Sequence, residues 1–520
     1  MLYECDNEEV KRHWIFHTLF FLLLVGYTAI GFFVYRDYGV PIDEYSQIDI
    51  GRVNYERITK GSLEIQTHYD RYYGPSFEVP LYVFGTYIGP VLGLDMMGSR
   101  RLFMFLFFAV SLVFFYRLLL RLFSHPMYAL IGTLLLLCTP RMFAESFYNT
   151  KDIAFMSAVI FVLWAFSRTR TRSYASLIPL LATTGFALAM RAQGLLVMGI
   201  VMIALLLSDD ATFLKRIRFL LLYAVSALAV AGIMSPIFWN DTIKNIIGYW
   251  QSSANPIGVP TYYFGKSYIS PQIPWHYHFV WVAFSSLLSV VVTSVLGLWW
   301  YVGSLRINQN SPEQKRTLFT MGCIIVGTFL TSVFFHPRSY DGWRHIYYIY
   351  PCMIGFSVYS IRTLFSYRKM PVFRLVAWII ISVMSVDVFS GVVFMARNHP
   401  NQYLYFNILS GGYARAKANF DFDYWGISYK QLFSYLQKYP VYKTTHIYYE
   451  QVLPFAEFVM IPELRKRGLM TVETPEEADL YISIHRDIKV PPPKRFQPIY
   501  SVQVEHVDVS TIYASDTYLK

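Results

Sequence analysis

The chain has little charge. Only 15% of its 520 residues are Asp, Glu, Lys or Arg, whereas soluble domains carry about 25%. Apolar residues take their place, with 55% hydrophobic and 18% aromatic residues, and they form long uncharged runs. A run of about 20 apolar residues matches the thickness of a bilayer core. The composition excludes an ordinary soluble protein and predicts an α-helical polytopic membrane protein.

Cysteine is also scarce, with four residues in the chain. Cys5 lies in the N-terminal tail, whereas Cys138, Cys323 and Cys352 lie in or beside apolar runs. Because the long polar segments contain no cysteine, the sequence predicts neither a disulfide framework nor a CxxC metal site.

The uncharged runs predict about eleven transmembrane helices. They lie near residues 14–35, 100–122, 126–141, 152–167, 175–190, 192–208, 218–239, 277–303, 317–335, 345–363 and 374–396. The first run could also be a signal peptide. It is longer than the usual apolar region of such a peptide, and no small-x-small cleavage site follows it, so we interpret it as a retained span.

The net charge of +11 could indicate a nucleic-acid partner. However, Lys and Arg cluster in short loops between the runs, as at 168–172, 215–218 and 362–374. With eleven spans and a cytoplasmic N-terminus, these clusters fall on the cytoplasmic side, as the positive-inside rule expects. We therefore predict no nucleic-acid partner and a C-terminus outside the cytoplasm.

The polar segments predict the domain organisation. Residues 1–396 form a transmembrane domain with outer loops at 36–99, 240–276 and 336–344, residues 397–419 form a linker, and residues 420–520 form a small soluble α/β domain. In the first loop, a helix should run from Pro41 to about Lys60, because proline favours the first helical turn and Gly61 follows. In the soluble domain, strands are expected near 445–452, 478–484 and 498–509, with helices near 428–439 and ending at Gly468.

Three acidic residues at the predicted outer membrane face are candidate catalytic residues. Asp43 and Glu44 follow the first span, and Asp152 follows Asn149 at the start of the fourth. Acids in the first turn of a helix can simply complement its dipole, or take part in a capping arrangement. Alternatively, one of the adjacent pair is a general base at the membrane face and the other orients a partner or substrate.

Basic residues also lie at the predicted outer membrane face, where a protein that follows the positive-inside rule should have few. Arg338, Arg344 and His345 lie in a very short outer loop, Arg191 lies in an outer turn, and Lys151 precedes Asp152. They could be interfacial side chains that snorkel. They could also form a phosphate site, for which arginine is well suited.

Carboxylates, arginines and aromatic residues at one membrane face suit a substrate with a phosphate headgroup and a lipid tail. A carboxylate would activate an acceptor hydroxyl, and the cations would stabilise a departing phosphate. A transporter or lipid flippase is the alternative, although it should carry charges near the midplane and show repeats. A non-enzymatic scaffold that displays the soluble tail is a third possibility.

Several motifs carry a family resemblance. They are the outer-loop Asp43–Glu44 pair, "YGPSFEV" at 73–79, "TPRMFAESFYNTKDIAF" at 139–155, "YDGWRHIYYIYP" at 340–351, "NHPNQYLYFNILSGG" at 398–412 and "DYWGISYKQL" at 423–432. Together they resemble the GT-C superfamily of glycosyltransferases that use polyprenyl-phosphate sugars. The resemblance is to the bacterial family 39-like branch, which is related to protein O-mannosyltransferases and the lipid A aminoarabinose transferase.

The resemblance implies an enzyme of the bacterial cytoplasmic (inner) membrane with an extracytoplasmic active site. It implies transfer of a hexosyl or pentosyl group from an undecaprenyl-type phosphate to a glycan, lipid or protein acceptor, with inversion. It also implies that Asp43 is the catalytic carboxylate of the first outer loop, with Glu44 beside it, and that Asp152 is a second functional carboxylate. Arg344 or Arg338 would hold the donor phosphate. Metal use varies in the superfamily, so the presence of His276, His278 and His345 does not establish a metal site. A divalent metal cofactor stays possible.

Overall fold

The computed structural model describes residues 5–171, 173–208, 211–254, 258–269, 272–304, 311–335, 339–367, 370–438, 444–486 and 492–519. The first ten helices of this part are α1 (Cys5–Val34), α2 (Glu44–Lys60), α3 (Pro75–Val83), α4 (Met96–Phe123), α5 (Pro126–Leu137), α6 (Pro140–Glu145), α7 (Asp152–Arg168), α8 (Leu177–Met190), α9 (Gln193–Leu206) and α10 (Phe213–Ile233). The others are α11 (Thr242–Ala254), α12 (Tyr277–Ser285), α13 (Leu288–Ser304), α14 (Pro312–Phe335), α15 (Tyr350–Ser366), α16 (Pro371–Arg397), α17 (Tyr413–Asn419), α18 (Tyr429–Lys438), α19 (Ile461–Arg465) and α20 (Asp516–Leu519).

The long apolar runs form helices, as predicted. Within the described residues, five helices are long and apolar enough to cross a membrane, namely α1, α4, α10, α14 and α16. Four more apolar helices, α5, α8, α9 and α13, are shorter. The protein is therefore a multi-pass, mainly helical membrane protein, and the count of eleven spans stays a prediction.

Some helix boundaries differ from the predicted ones. The run at 277–303 was expected to be one span, but α12 ends at Ser285 and α13 begins at Leu288. A carboxylate stabilises this break, because Asp387 Oδ2 on α16 accepts a hydrogen bond from the Ser289 backbone N–H at 2.8 Å. The division of 175–208 into α8 and α9 matches the prediction, and Arg191 lies at the break.

The first outer segment packs two helices closely. Helix α2 begins at Glu44 rather than Pro41, and it ends before Gly61, whose φ of 72° suits glycine. Gly51 lets α2 approach α3, because a Cβ atom at this position would lie 2.7 Å from the Glu78 backbone oxygen. After α3 the chain continues as a π-helical turn at Phe84–Ile88 and a 3₁₀ turn at Pro90–Leu92, where Pro90 and the neighbouring glycines interrupt a regular α-helix. The second outer segment carries α11 and the hairpin of β1 (Pro260–Tyr263) and β2 (Lys266–Ile269).

The C-terminal part contains a small mixed sheet. Its strands are β3 (Thr445–Tyr449), β4 (Leu469–Thr471), β5 (Leu480–Ile484), β6 (Phe496–Val504) and β7 (Val507–Ser515), in the order β4-β3-β5-β7-β6. Strand β3 is parallel to β4 and β5, whereas β7 is antiparallel to β5 and β6. The single strand expected at 498–509 is instead a hairpin, which turns at Glu505 and His506 with positive φ angles.

The segment predicted as a linker packs against the helical body. Tyr403, Phe406 and Phe420 are buried in the same apolar core as the membrane helices, and the chain up to Ile427 continues this packing. The sheet and α18 have a separate core around Leu432, Ile482 and Ile512. Residues around 398–427 therefore hold the C-terminal domain against the helical body.

Candidate active site

Asp43 lies just before the first residue of α2, and its side chain is 30% exposed. Its Oδ2 atom lies 3.2 Å from Lys151 Nζ and 3.4 Å from Arg344 Nη1. The carboxylate is thus directed towards two cations from distant parts of the chain. Burial opposes its ionisation, but Lys151 and Arg344 outweigh this effect and lower the pKa of Asp43 to about 2.

Asp152, at the start of α7, is fully buried and held from several sides. Its backbone N–H donates to Asn149 Oδ1 at 2.8 Å, and Asn149 Nδ2 donates to Asp152 Oδ2 at 3.1 Å. Arg191 pairs with its Oδ1 atom, and Arg344 Nη1 lies 3.4 Å from its Oδ2 atom. This carboxylate therefore orients two arginines and is already saturated with partners.

Arg344 joins the carboxylates into one cluster. Its Nη1 atom reaches Asp43 and Asp152, and its Nη2 atom donates to Asp341 Oδ2 at 3.1 Å. The guanidinium lies over Trp425, 4.5 Å from the ring centroid, and is 4.9 Å from that of Tyr340. The aromatic faces favour the cation and fix its plane.

Glu44 lies in a different environment from Asp43. It forms a buried ion pair with Arg100, and Arg100 Nη2 lies 2.9 Å from Glu78 Oε2. Glu78 also accepts a hydrogen bond from Thr150, the residue before Lys151. This placement favours a role for Glu44 in joining α2, α3 and α4 rather than in contacting substrate.

A cavity of about 440 Å³ opens beside the cluster. Its wall includes Lys151, Arg191, Arg344, His345 and Tyr340. An apolar groove of about 350 Å³ shares part of this wall and is lined by α8, α10 and α11 side chains. Residues common to both are Tyr72, Met190, Arg191, Ala192, Tyr249 and Trp250.

Six of the eight predicted site residues lie at the cavity or its edge: Asp43, Lys151, Asp152, Arg191, Arg344 and His345. Glu44 does not join them, and Arg338 lies outside the described residues. In the part of the chain that the structure describes, no group of three or more His, Cys, Asp or Glu side chains is arranged to hold a metal ion. The cysteines with described side chains, Cys138, Cys323 and Cys352, are free thiols.

The sequence reasoning missed three residues at the cluster. Asp341 and Trp425 both contact Arg344, and Arg486 pairs with Asp341. Asp341 and Trp425 lie inside motifs that carried the resemblance, so those motifs were a usable signal for them. Arg486 has no such signal, because its contact depends on how the C-terminal domain packs.

Residues 87–239 match the dolichyl-phosphate-mannose-protein mannosyltransferase family. The predicted resemblance is confirmed. The match covers this region alone, and the apolar helices show that the chain is a membrane protein. The matched region contains Lys151, Asp152 and Arg191, whereas Asp43 and Arg344 lie outside it.

Two crystal structures are distantly similar to this chain. Apo oligosaccharyltransferase from Archaeoglobus fulgidus is 12% identical with a TM-score of 0.42, over 78% of this chain and 57% of the archaeal one. The chain thus spans 57% of the length of that protein. Apo ArnT from Cupriavidus metallidurans is 13% identical with a TM-score of 0.47, over 96% of this chain and 98% of its own. Among curated proteins, none matches this chain significantly.

Proposed function

We propose that the protein is an integral membrane glycosyltransferase. It transfers a sugar from a polyprenyl-phosphate donor to an extracytoplasmic acceptor hydroxyl, with inversion, and Asp43 is the general base. The observation that carries this proposal is the position of Asp43, a partly exposed carboxylate in contact with Lys151 and Arg344 at a cation-lined cavity.

Such a donor requires a cationic region for its phosphate and an apolar surface for its lipid, and the cavity and groove offer both. Lys151, Arg191 and Arg344 offer positive charge and a guanidinium fork for a phosphate. The adjoining groove offers an apolar surface for the first part of an isoprenoid chain. A soluble sugar nucleotide would need no such groove beside its phosphate site.

The reaction is a single displacement. The acceptor oxygen attacks the anomeric carbon while the bond from that carbon to the phosphate oxygen breaks, and polyprenyl phosphate leaves with the bonding electrons. Asp43 takes the hydroxyl proton, and the cations stabilise the charge that develops on the departing phosphate. One displacement inverts the configuration at the anomeric carbon.

Donor binding would also activate the base. Without donor, Lys151 and Arg344 hold the pKa of Asp43 at about 2, which makes it a weak base. A donor phosphate competes for the same two cations and brings negative charge close to the carboxylate. Both effects raise the pKa of Asp43 when the donor is in place.

The test measures release of polyprenyl phosphate from labelled polyprenyl-phosphate sugar. Membranes of a strain that lacks its own copy receive matched amounts of wild-type or variant protein, so that the native acceptor is present. Asp43→Asn is nearly isosteric but cannot take a proton, and the rate should fall about 10²–10⁴-fold.

Asp49→Asn is the matched control, since Asp49 lies on the same helix and pairs with Arg52 and His68. It should release product at near the wild-type rate. Near-normal release by Asp43→Asn would contradict the assignment of the base. Donor that crosses the membrane intact, without cleavage in any of the proteins, would instead indicate a transporter or flippase.

A further inference from the structure

Asp341 is shared between two arginines from different parts of the fold. Its Oδ2 atom accepts from Arg344 Nη2 at 3.1 Å, and its Oδ1 atom accepts from Arg486 Nη2 at 2.7 Å. The Asp341 side chain is only 3% exposed, and that of Arg486 is 13% exposed. Arg486 follows β5, so the C-terminal domain contributes a cation to a chain of contacts that ends at Asp43.

The backbone at Asp341 needs to be held. Its φ is 55°, in the left-handed region that residues other than glycine rarely adopt, and Gly342 follows with φ of 78°. The Gly342 N–H donates to the Tyr277 hydroxyl at 2.9 Å, which fixes one side of this turn. Arg344 and Arg486 fix the carboxylate on the other side.

Arg486 also adds one cation to the linked charged groups. The carboxylates joined by these ion pairs are Asp43, Asp152 and Asp341, and the cations are Lys151, Arg191, Arg344 and Arg486. The linked groups therefore carry one cation more than they carry carboxylates. Without Arg486 the two signs would balance among these linked, described groups.

A second contact brings the same region of the chain to Arg344. The Phe422 N–H donates to the Arg486 carbonyl oxygen at 3.0 Å. Three residues later, Trp425 lies against the Arg344 guanidinium. The segment before α18 and the turn after β5 thus reach Arg344 together, one through an aromatic face and the other through Asp341.

We propose that Arg486 is a positioning residue for the donor site. It holds Asp341, and Asp341 holds the Arg344 guanidinium where it can bind a donor phosphate, so the C-terminal domain is a working part of that site. This inference rests on the function proposed above. It gives the domain a role in donor affinity rather than in anchoring or display.

The experiment measures binding of labelled polyprenyl phosphate to purified protein, together with kcat and KM for the donor. Arg486→Met removes the charge at similar size, and donor KM and the Kd for polyprenyl phosphate should rise about tenfold or more, the range for a hydrogen bond to a charged group. The change in kcat should be smaller. Arg486→Lys should restore part of the affinity.

Arg495→Met is the matched control, because Arg495 lies in the same domain but donates to the backbone carbonyl groups of Pro475, Glu476 and Ala478. It should reduce thermal stability and leave Kd near the wild-type value. An equal rise in Kd for both variants would mean that the effect is general loss of domain folding, and it would overturn the inference.

A double-mutant comparison tests the route through Asp341. In an Asp341→Asn background, Arg486→Met should add little to the loss of affinity. Independent, additive effects would overturn this route. If donor affinity is unchanged in Arg486→Met but weakened in Arg344→Met, the role of Arg486 is overturned and the proposed donor site stands. If donor affinity is unchanged in both variants, the proposed donor site is refuted as well.

Discussion

Adjacent carboxylates at the start of α2 have different surroundings. Consecutive residues at a helix start are turned by about 100° from each other. Asp43 therefore faces Lys151 and Arg344, while Glu44 faces Arg100. Because two side-chain cations engage Asp43, complementing the helix dipole does not account for its position.

The pH dependence of kcat and kcat/KM should reflect the pairing of Asp43 with Lys151 and Arg344. In the free protein the pKa of Asp43 is lowered to about 2, so protonation of Asp43 should cause no fall in kcat/KM as the pH is lowered from about 8 to 5. In kcat, which reports the donor-bound protein, the acid limb should lie at higher pH, because in the proposed complex the donor phosphate shares Lys151 and Arg344 with Asp43.

Lys151→Met should move the acid limb of kcat/KM upwards, since one cation that favours the carboxylate is lost. The measurement is a pair of pH–rate profiles for each protein. Coincident acid limbs in kcat and kcat/KM would show that donor binding does not change the basicity of Asp43.

The planar guanidinium of Arg344 predicts that lysine cannot replace it. Arg344 uses two nitrogen atoms for three carboxylates and lies against Trp425. Arg344→Lys keeps the charge but loses the fork, so binding of polyprenyl phosphate should weaken about tenfold or more. Arg52→Lys, on the partly exposed side of α2, is the control and should bind normally. Wild-type affinity in Arg344→Lys would mean that charge alone suffices.

At the scale of helices and turns, the cluster is assembled from element ends. Asp43 precedes α2, Asp152 begins α7, Arg191 lies between α8 and α9, and Arg344 begins the turn before α15. The sequence could predict this, because each residue lies beside an apolar run whose limits are clear. The sequence could not show which of Asp43 and Glu44 contacts the cations of the cluster, since that depends on how α2 is rotated against α3 and α4.

Contacts over long sequence separations were beyond prediction from sequence. Arg486 and Asp341 are 145 positions apart, and nothing local to either residue specifies the other. The hairpin of β6 and β7 was missed for a different reason. Glu505 and His506 form its turn without glycine or asparagine, the usual turn residues at positive φ.

Gly51 should be needed for the contact between α2 and α3. A Cβ atom there would lie 2.7 Å from both Glu78 O and Tyr82 Cβ, so Gly51→Ala should separate the helices and cost about 1–3 kcal/mol. The transfer rate should also fall, because α2 carries Asp43 at its start. The measurements are the Tm in detergent and the release assay.

Gly199→Ala in α9 is the matched control, because no described atom lies within 4 Å of its Cβ position. It should be neutral or more stable by up to about 1 kcal/mol, since glycine is a poor helix former. A Tm for Gly51→Ala equal to that of the control would contradict the close packing of α2 on α3.

At the scale of the whole molecule, the topology makes the site and the C-terminal domain share one side of the membrane. Arg486 reaches Asp341 directly, so the two regions must lie on the same side. The Arg and Lys clusters predict that this side is extracytoplasmic. A reporter that is active only in the periplasm, fused after Lys520, should therefore be active.

A second fusion within 168–172, a predicted cytoplasmic loop, should give the opposite result with the same reporter. An inactive fusion after Lys520 would mean that the chain crosses the membrane an even number of times between its N-terminus and Lys520. The proposed acceptor side would then be wrong, although the contact between the domain and the cluster would stand.

The pairing of Asp43 with Lys151 and Arg344 also bears on product release in the proposed reaction. In the proposed reaction, the released polyprenyl phosphate would remain beside Lys151 and Arg344, and no step of that reaction expels it. Asp43 lies within 3.4 Å of both cations, so on the proposed mechanism its carboxylate, once it has released the acceptor proton to solvent, acts as a tethered competitor that displaces the spent carrier. The protein would thus exchange some donor affinity for faster turnover.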